Sequence, residues 1–353
     1  MEDFIHTLNA VIWSPALVAF CLGAGLFFSI KSRFVQLRLI PEMWRLLFQK
    51  KEDEIGLSSF QALSLTLAGR VGTGNIAGVA TAICFGGPGA LFWMWVVAFL
   101  GASSAFVEST LGQIYKERIE GQYRGGPAFY IERGLKLKAY AWAFAIVTIL
   151  ASCFFCPGVQ SNSIALAWNE AFGLDAEVTA AIVASITCFV IVGGLRRIAT
   201  FTSWVVPFMA QAYIVVALII VGVNWEQIPA VMTLIVNSAF GFDSLTGGML
   251  GAAIAWGVKR GIYSNEAGQG TGPHASSAAA VSHPAKQGLV QAFSVYIDTL
   301  FVCSATGFMI LMTGCYNMQA PDGSMIFEGL KGVEAGPVYT QAAIDQLMPG
   351  WGG

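Results

Sequence analysis

Long stretches of this chain contain no Lys, Arg, Asp or Glu. Residues 4–30, 71–107, 139–169, 198–225 and 299–321 are such runs. About 20 apolar residues cross the hydrocarbon core of a bilayer, and a charge placed there is costly, so each run is long enough to span one. Residues 71–107 are too long for one span, and the turn Gly86-Gly87-Pro88-Gly89 divides them. The pattern predicts spanning segments near 9–30, 59–85, 89–115, 139–169, 176–194, 197–223, 244–262 and 287–315. The shorter apolar stretch at 227–242 is expected at the interface. An all-α, polytopic membrane protein is the fold class, with residues 1–353 as a single transmembrane domain.

Composition agrees. Of 353 residues, 56% are hydrophobic and 11% charged, against roughly 25% charged in soluble domains. Lys and Arg total 19 and Asp and Glu total 21, so no net field recruits nucleic acid. Met1-Glu2-Asp3 supplies no positive n-region, which predicts that the first span is retained and not cleaved. The 7 cysteines lie in or beside apolar runs, so no disulfide framework is implied. Cys153 and Cys156 form a CxxC pair without a second pair or a histidine nearby, and read as small residues packing a membrane helix.

Positive charge falls on alternate loops. Every Lys and Arg except Arg70 and Lys331 lies at or between the ends of spans one and two, three and four, five and six, or seven and eight. Cytoplasmic loops carry such an excess, which predicts an inner-membrane, multi-pass protein with its N-terminus outside.

The second span contains Gly69-Arg70-Val71-Gly72-Thr73-Gly74-Asn75-Ile76-Ala77-Gly78. Each interior glycine costs a helix about 1 kcal/mol relative to alanine, so the span is expected to unwind there. Unwound backbone at membrane depth must be buried in protein or line a cavity, where a substrate and an ion would satisfy its N–H and C=O groups. The rival readings are a GxxxG packing face at Gly74 and Gly78, and a dinucleotide fingerprint that lacks both the spacing and the strand. A related stretch, Lys259-Arg260-Gly261-Ile262-Tyr263-Ser264-Asn265-Glu266-Ala267-Gly268, repeats the Arg, Asn, Ala and Gly of the first. It runs in the opposite direction with four spans between, the arrangement of an inverted-topology repeat whose two broken helices meet at a substrate site.

Ionisable residues inside spans are site candidates by default. Arg70 and Asp298 are expected at similar depth and to pair, and Glu108 to come within reach of Arg260 or of the loops. The alternative role for these charges is a structural ion pair that fixes helix register. His274 and His283 lack a further ligand and read as solvated or capping. No nucleophile and base converge in a motif, so no catalytic residue, enzyme activity or metal centre is expected. A channel would need a continuous polar pore but not paired broken helices.

These residues carry a family resemblance. The run Gly72 to Ala82, the run Gly86 to Trp95, Gly125-Gly126-Pro127-Ala128 and Ser264-Asn265-Glu266-Ala267-Gly268 resemble the alanine or glycine:cation symporter family, the sodium:alanine symporters. The resemblance covers about residues 59–315. It implies a leucine-transporter-type inverted-repeat fold preceded by one extra N-terminal helix: 1–58 the extra helix and loop, 59–223 the first repeat, 244–353 a partial second repeat. A second repeat as long as the first would extend past residue 353, so the resemblance implies truncation, and loss of a later helix whose hydroxyls complete the sodium site. A chain of this kind could be a non-transporting fragment, a channel, or a carrier of another small solute. The implied activity is sodium-driven uptake of alanine or glycine by alternating access, with Na+ as coupling ion and no other cofactor.

Matching implies that Gly72, Thr73 and Gly74 offer N–H groups and a hydroxyl to a substrate carboxylate, aided by the positive end of the half-helix beginning there. Asn75, Ser264 and Asn265 belong to the two interrupted stretches that form the site. Gln160 and Ile164 would line a small side-chain pocket that Trp256 closes, and the carbonyls of Ala68 and Val71 would face sodium.

Overall fold

The chain is almost wholly helical in a computed structural model that describes residues 7, 9, 11–49, 53–242 and 249–352. Met1-Glu2-Asp3, residue 10 of the first span, Lys50, Lys51 and residues 244–248 of the seventh span lie outside the described residues. The principal helices are α1 (Pro15–Lys31), α2 (Ile40–Leu47), α3 (Ser59–Arg70), α4 (Thr73–Gly86) and α5 (Gly89–Ile114). They continue with α6 (Pro127–Gly134), α7 (Lys138–Phe172), α8 (Ala176–Ile191), α9 (Gly194–Val223) and α10 (Ile228–Phe240). The chain ends with α11 (Leu250–Asn265), α12 (Gly272–Ser277), α13 (Pro284–Thr313) and α14 (Pro337–Leu347). Among them α5, α7, α9 and α13 are long and apolar enough to cross a membrane, while α1, α4 and α8 are shorter apolar helices.

Helix α5 is the centre of the bundle, with α1, α10, α11, α12 and α13 packed on it. Small residues permit that crowding. A methyl group on Gly257 of α11 would lie 2.6 Å from the Ala90 carbonyl oxygen, and one on Gly25 of α1 would lie 2.9 Å from Leu100 Cβ. Two large apolar cores stand out. One gathers Val79, Ile83, Leu91, Met94, Ile235 and Ile310, and the other Met43, Leu63, Leu67, Ala102, Leu289 and Val295. By contrast α7 and α8 leave Phe154, Phe155 and Phe189 exposed, apolar flanks suited to hydrocarbon. The 227–242 stretch forms α10 and buries Val231, Ile235 and Ala239 against the bundle, and Ser238 Oγ accepts the Gly89 N–H at 3.0 Å, which ties it to the start of α5.

Outside the spans, β1 (Glu117–Ile119) and β2 (Gln122–Arg124) form an antiparallel hairpin. Its turn residues Glu120 and Gly121 both have positive φ, as the tight hairpin turn that matches strand twist requires. Tyr123 then donates to Asp53 Oδ2 at 2.9 Å, and the Lys116 ammonium donates to the Ala279 carbonyl at 2.6 Å. Leu57 bridges to the same loop through Ala278 and Ala280, so the basic loop before α3 is stitched to the segment after α12. Burial lowers the Lys116 ammonium to about 8, and nearby Asp53 opposes that shift. Asp53 itself is held below the usual carboxylate range, mainly by the Ile55 N–H and the Tyr123 hydroxyl.

Candidate functional site

The helix of the second span starts firmly and then breaks. Ser58 and Gln61 form a reciprocal capping box at its N-terminus, an arrangement worth about 1 kcal/mol. It stops at Arg70, and α4 resumes at Thr73 after Val71 and an extended Gly72. Across this break three N–H groups leave their helical acceptors. Gly72 N–H donates to Asn75 Oδ1 at 2.7 Å, Thr73 N–H to Gln160 Oε1 at 3.2 Å, and Asn75 N–H to the Gly72 carbonyl at 3.1 Å. In a continuous helix those groups would have served the carbonyls of Ala68, Gly69 and Val71, four residues earlier. Ala68, Gly69 and Val71 all line a cavity of about 470 Å³.

The far wall of that cavity comes from α7. Pro157 has no N–H to give and would clash inside a regular helix, and a wide turn at Ala151–Phe155 precedes it. Ala151, Ser152, Cys156, Pro157 and Gln160 thus face the break, and Thr73 Oγ1 also donates to Gln160 Oε1. Tyr263, Glu266, Gln269 and Thr271 close one side, and Phe144, Val147 and Thr148 line the opening. Phe144 and Thr148 also border a second cavity with Tyr123 and Arg124, so the main cavity lies toward the basic hairpin. An unwound, polar backbone beside a cavity of this size can receive a small zwitterion and a hard cation.

Of the residues singled out in the sequence, Gly72, Gly74, Gln160, Ala68 and Val71 line this cavity, while Thr73 bonds to its wall. Gly74 also packs closely, since a methyl group there would lie 3.0 Å from Ser264 Cα. Ile164 is half-buried one turn beyond Gln160 and outside the lining. Trp256 stacks on Phe85 at 4.9 Å, at the far end of α4. Asn75, Ser264 and Asn265 sit behind the cavity in a buried polar cluster: Asn265 donates to Thr299 Oγ1 at 3.3 Å, and Ser264 to Asp298 Oδ2 at 2.9 Å.

Two expectations need correction. Arg70 and Asp298 make no ion pair: Arg70 donates to the Ser294 hydroxyl and the Gln291 carbonyl, whereas Asp298 accepts from Asn75, Ser264 and Thr299. Depth along two helices was the basis for pairing them, but the side chains leave those helices in different directions. Of its two expected neighbours, Glu108 meets the loop and not Arg260. It accepts the Gly268 and Gly270 N–H groups at 3.2 and 3.0 Å, while Arg260 lies over the Trp256 ring at 5.3 Å. Finally, the stretch 259–268 does not interrupt a helix. Helix α11 is continuous through Asn265 and ends at Glu266, which adopts a left-handed φ of 53°. Cys153 and Cys156 are exposed on α7 with free thiols, and Cys156 lines the cavity.

Sequence reasoning missed Glu266 and Tyr263 as lining residues, and of the α7 wall it named Gln160 but not Ala151, Ser152, Cys156 or Pro157. Pro157 within an otherwise helical run was the available signal for the wall.

A sodium:alanine symporter family model matches residues 1–353. The chain belongs to this family. It is 62% identical over 352 residues to a Bacillus subtilis (strain 168) protein whose name describes a sodium/proton-dependent alanine carrier, covering 100% of this chain and 73% of that one. It is 50% identical over 311 residues to the sodium/proton-dependent alanine carrier of Bacillus sp. (strain PS3), covering 88% of this chain and 70% of the carrier. The sodium/alanine symporter of Methanococcus maripaludis is 39% identical over 355 residues, with 98% and 76% covered. Membership places this symporter among transporters and not among enzymes.

Proposed function

We propose that this symporter carries alanine, or a similarly small neutral amino acid, across the inner membrane together with sodium. The observation that carries the reading is the break at Val71–Thr73, where three N–H groups are diverted from the carbonyls of Ala68, Gly69 and Val71, residues that line the cavity. A substrate carboxylate would take the N–H and hydroxyl of Thr73, at the positive end of α4, while Gly72 beside it stays held by Asn75. Gly74 would keep the backbone approach clear, and Gln160 would exchange its bond to Thr73 for one to the substrate. Carbonyls of Ala68 and Val71 would hold sodium, which prefers hard oxygen ligands. Asn75, Ser264 and Asn265 support this backbone from behind.

The inverted-repeat reading extends the same logic. Residues 59–223 form the first repeat in this reading, and residues 244–353 a partial second repeat. The basic loops are cytoplasmic and the N-terminus external, which makes the cavity an inward-facing one and alternating access the transport mode.

Uptake of labelled alanine into proteoliposomes, with and without an inward sodium gradient, tests the proposal. Accumulation should require the gradient, and preloaded alanine should drive counterflow. Uptake that is insensitive to sodium and shows no counterflow would refute a symporter and favour a pore.

A further inference from the structure

The side chain of Asn75 joins the break to the buried cluster behind it. Its Oδ1 accepts the Gly72 N–H at 2.7 Å. Its Nδ2 lies 2.7 Å from Asp298 Oδ1, 3.1 Å from the Asp298 carbonyl and 3.1 Å from Ser264 Oγ. A primary amide is nearly symmetric in shape, so its neighbours decide which end faces which way. An ionised carboxylate only accepts hydrogen bonds. The reversed amide would set oxygen against the Asp298 carboxylate and N–H against the Gly72 N–H.

Asp298 is itself fixed. It is fully buried, and its second oxygen accepts from Ser264 at 2.9 Å and from Thr299 at 2.8 Å. The wide-turn segment Tyr296–Cys303 of α13 brings Asp298, Thr299 and Cys303 together on this cluster, a geometry that regular helical spacing would not give. Among the described residues no Lys or Arg forms an ion pair with Asp298.

We propose that Asp298 is a positioning residue for the substrate site: it orients the Asn75 amide so that its oxygen holds the Gly72 N–H, and thereby holds open the backbone at Val71–Thr73. This rests on reading that break as the alanine site. Asn75 belongs to α4, Ser264 to α11 and Asp298 to α13, so three helices set the position of one backbone N–H.

The test compares alanine uptake and its concentration dependence in proteoliposomes at saturating sodium. Variants are Asp298→Leu, Asp298→Asn, Asn75→Asp and the exchange Asn75→Asp with Asp298→Asn, each checked by monodisperse elution and melting temperature. Asp298→Asn keeps an acceptor oxygen and should hold the alanine KM within about threefold of the parent, whereas Asp298→Leu should raise KM by about tenfold or more and change the maximal rate less. Asn75→Asp sets two carboxylates face to face and should lose uptake. The exchange restores an amide facing a carboxylate and leaves an acceptor for Gly72, so it should regain most of the parental KM. A normal KM in Asp298→Leu, a lost KM in folded Asp298→Asn, or an exchange no better than Asn75→Asp would each overturn the proposal. A parent that transports no alanine would refute the assigned function instead, a distinguishable failure.

Discussion

Glu108 offers the most direct test of how the region beyond α11 is held in place. The chain after Asn265 turns through positive φ at Glu266, Gly268 and Gly270 before α12 begins. That turn has its own bond from Thr271 to Glu266 at 2.6 Å, and it is anchored to α5 by the two carboxylate oxygens of Glu108. Glu108→Gln preserves size and removes one acceptor, setting the amide NH2 against one of the two glycine N–H groups. A charge-assisted bond contributes about 1.5–3 kcal/mol, and a buried donor left without a partner costs about 1–3 kcal/mol. The guanidinium of Arg70 also interacts with Glu108 electrostatically, so the substitution removes part of its compensation. We expect a loss of about 2–4 kcal/mol, concentrated locally. Hydrogen–deuterium exchange in detergent should then report Gly268 and Gly270 exchanging about 30-fold to nearly a thousandfold faster, with the middle of α5 unchanged. Unaltered exchange at both glycines in a variant of parental melting temperature would refute the anchor.

The remaining predictions concern charge, topology and packing. Amine acetylation followed by mass spectrometry should find Lys116 half-reactive near pH 8, because burial lowers it to about 8. Its folded value lies below that of a free lysine, near 10.4, so its contribution to stability should rise as pH climbs between those values and stay flat below. A melting temperature that falls across that window only in the parent, and not in Lys116→Met, would contradict this sign. A cysteine placed at Arg124 should resist an impermeant thiol reagent applied to intact cells and react once the membrane is opened; labelling from outside would invert the assigned topology. Gly257→Ala, whose new methyl would lie 2.6 Å from the Ala90 carbonyl oxygen, should destabilise by about 1–3 kcal/mol. Gly222→Ala, with open space around it, should be neutral or stabilising by about 0.5–1 kcal/mol, both read as melting temperatures in detergent.

Much of the architecture was legible because charge is so costly in hydrocarbon that its absence marks the spans. The break at Val71–Thr73 was legible for a related reason, since glycines at 69, 72 and 74 disfavour a continuous helix. The same logic failed at 259–268. Gly257 and Gly261 belong to an intact helix because they let α11 approach Trp93, Met94 and Val97 of α5, and that packing offsets their helix cost. Linear spacing also gave depth without direction, which is why Arg70 was matched to Asp298. Arg70 turns instead to Ser294 and Gln291, one and two turns nearer the start of α13. No sequence pattern announced the wide turns in α7 and α13, although Pro157 marks the first.

Packing and ligand binding are not competing explanations of the glycines at the break. A methyl group at Gly74 would press on Ser264 Cα at 3.0 Å, so the missing side chain sets how closely α4 and α11 approach. That approach brings Ser264 Oγ within 3.1 Å of Asn75 Nδ2 and 2.9 Å of Asp298 Oδ2. The oriented Asn75 amide then holds Gly72, and Thr73 beside it presents its diverted donor to the cavity wall. Each step depends on the separation fixed by the one before it, since a hydrogen bond weakens within a few tenths of an ångström of its optimum. A helix-packing motif and a binding motif therefore occupy the same residues because the first sets the geometry that the second requires.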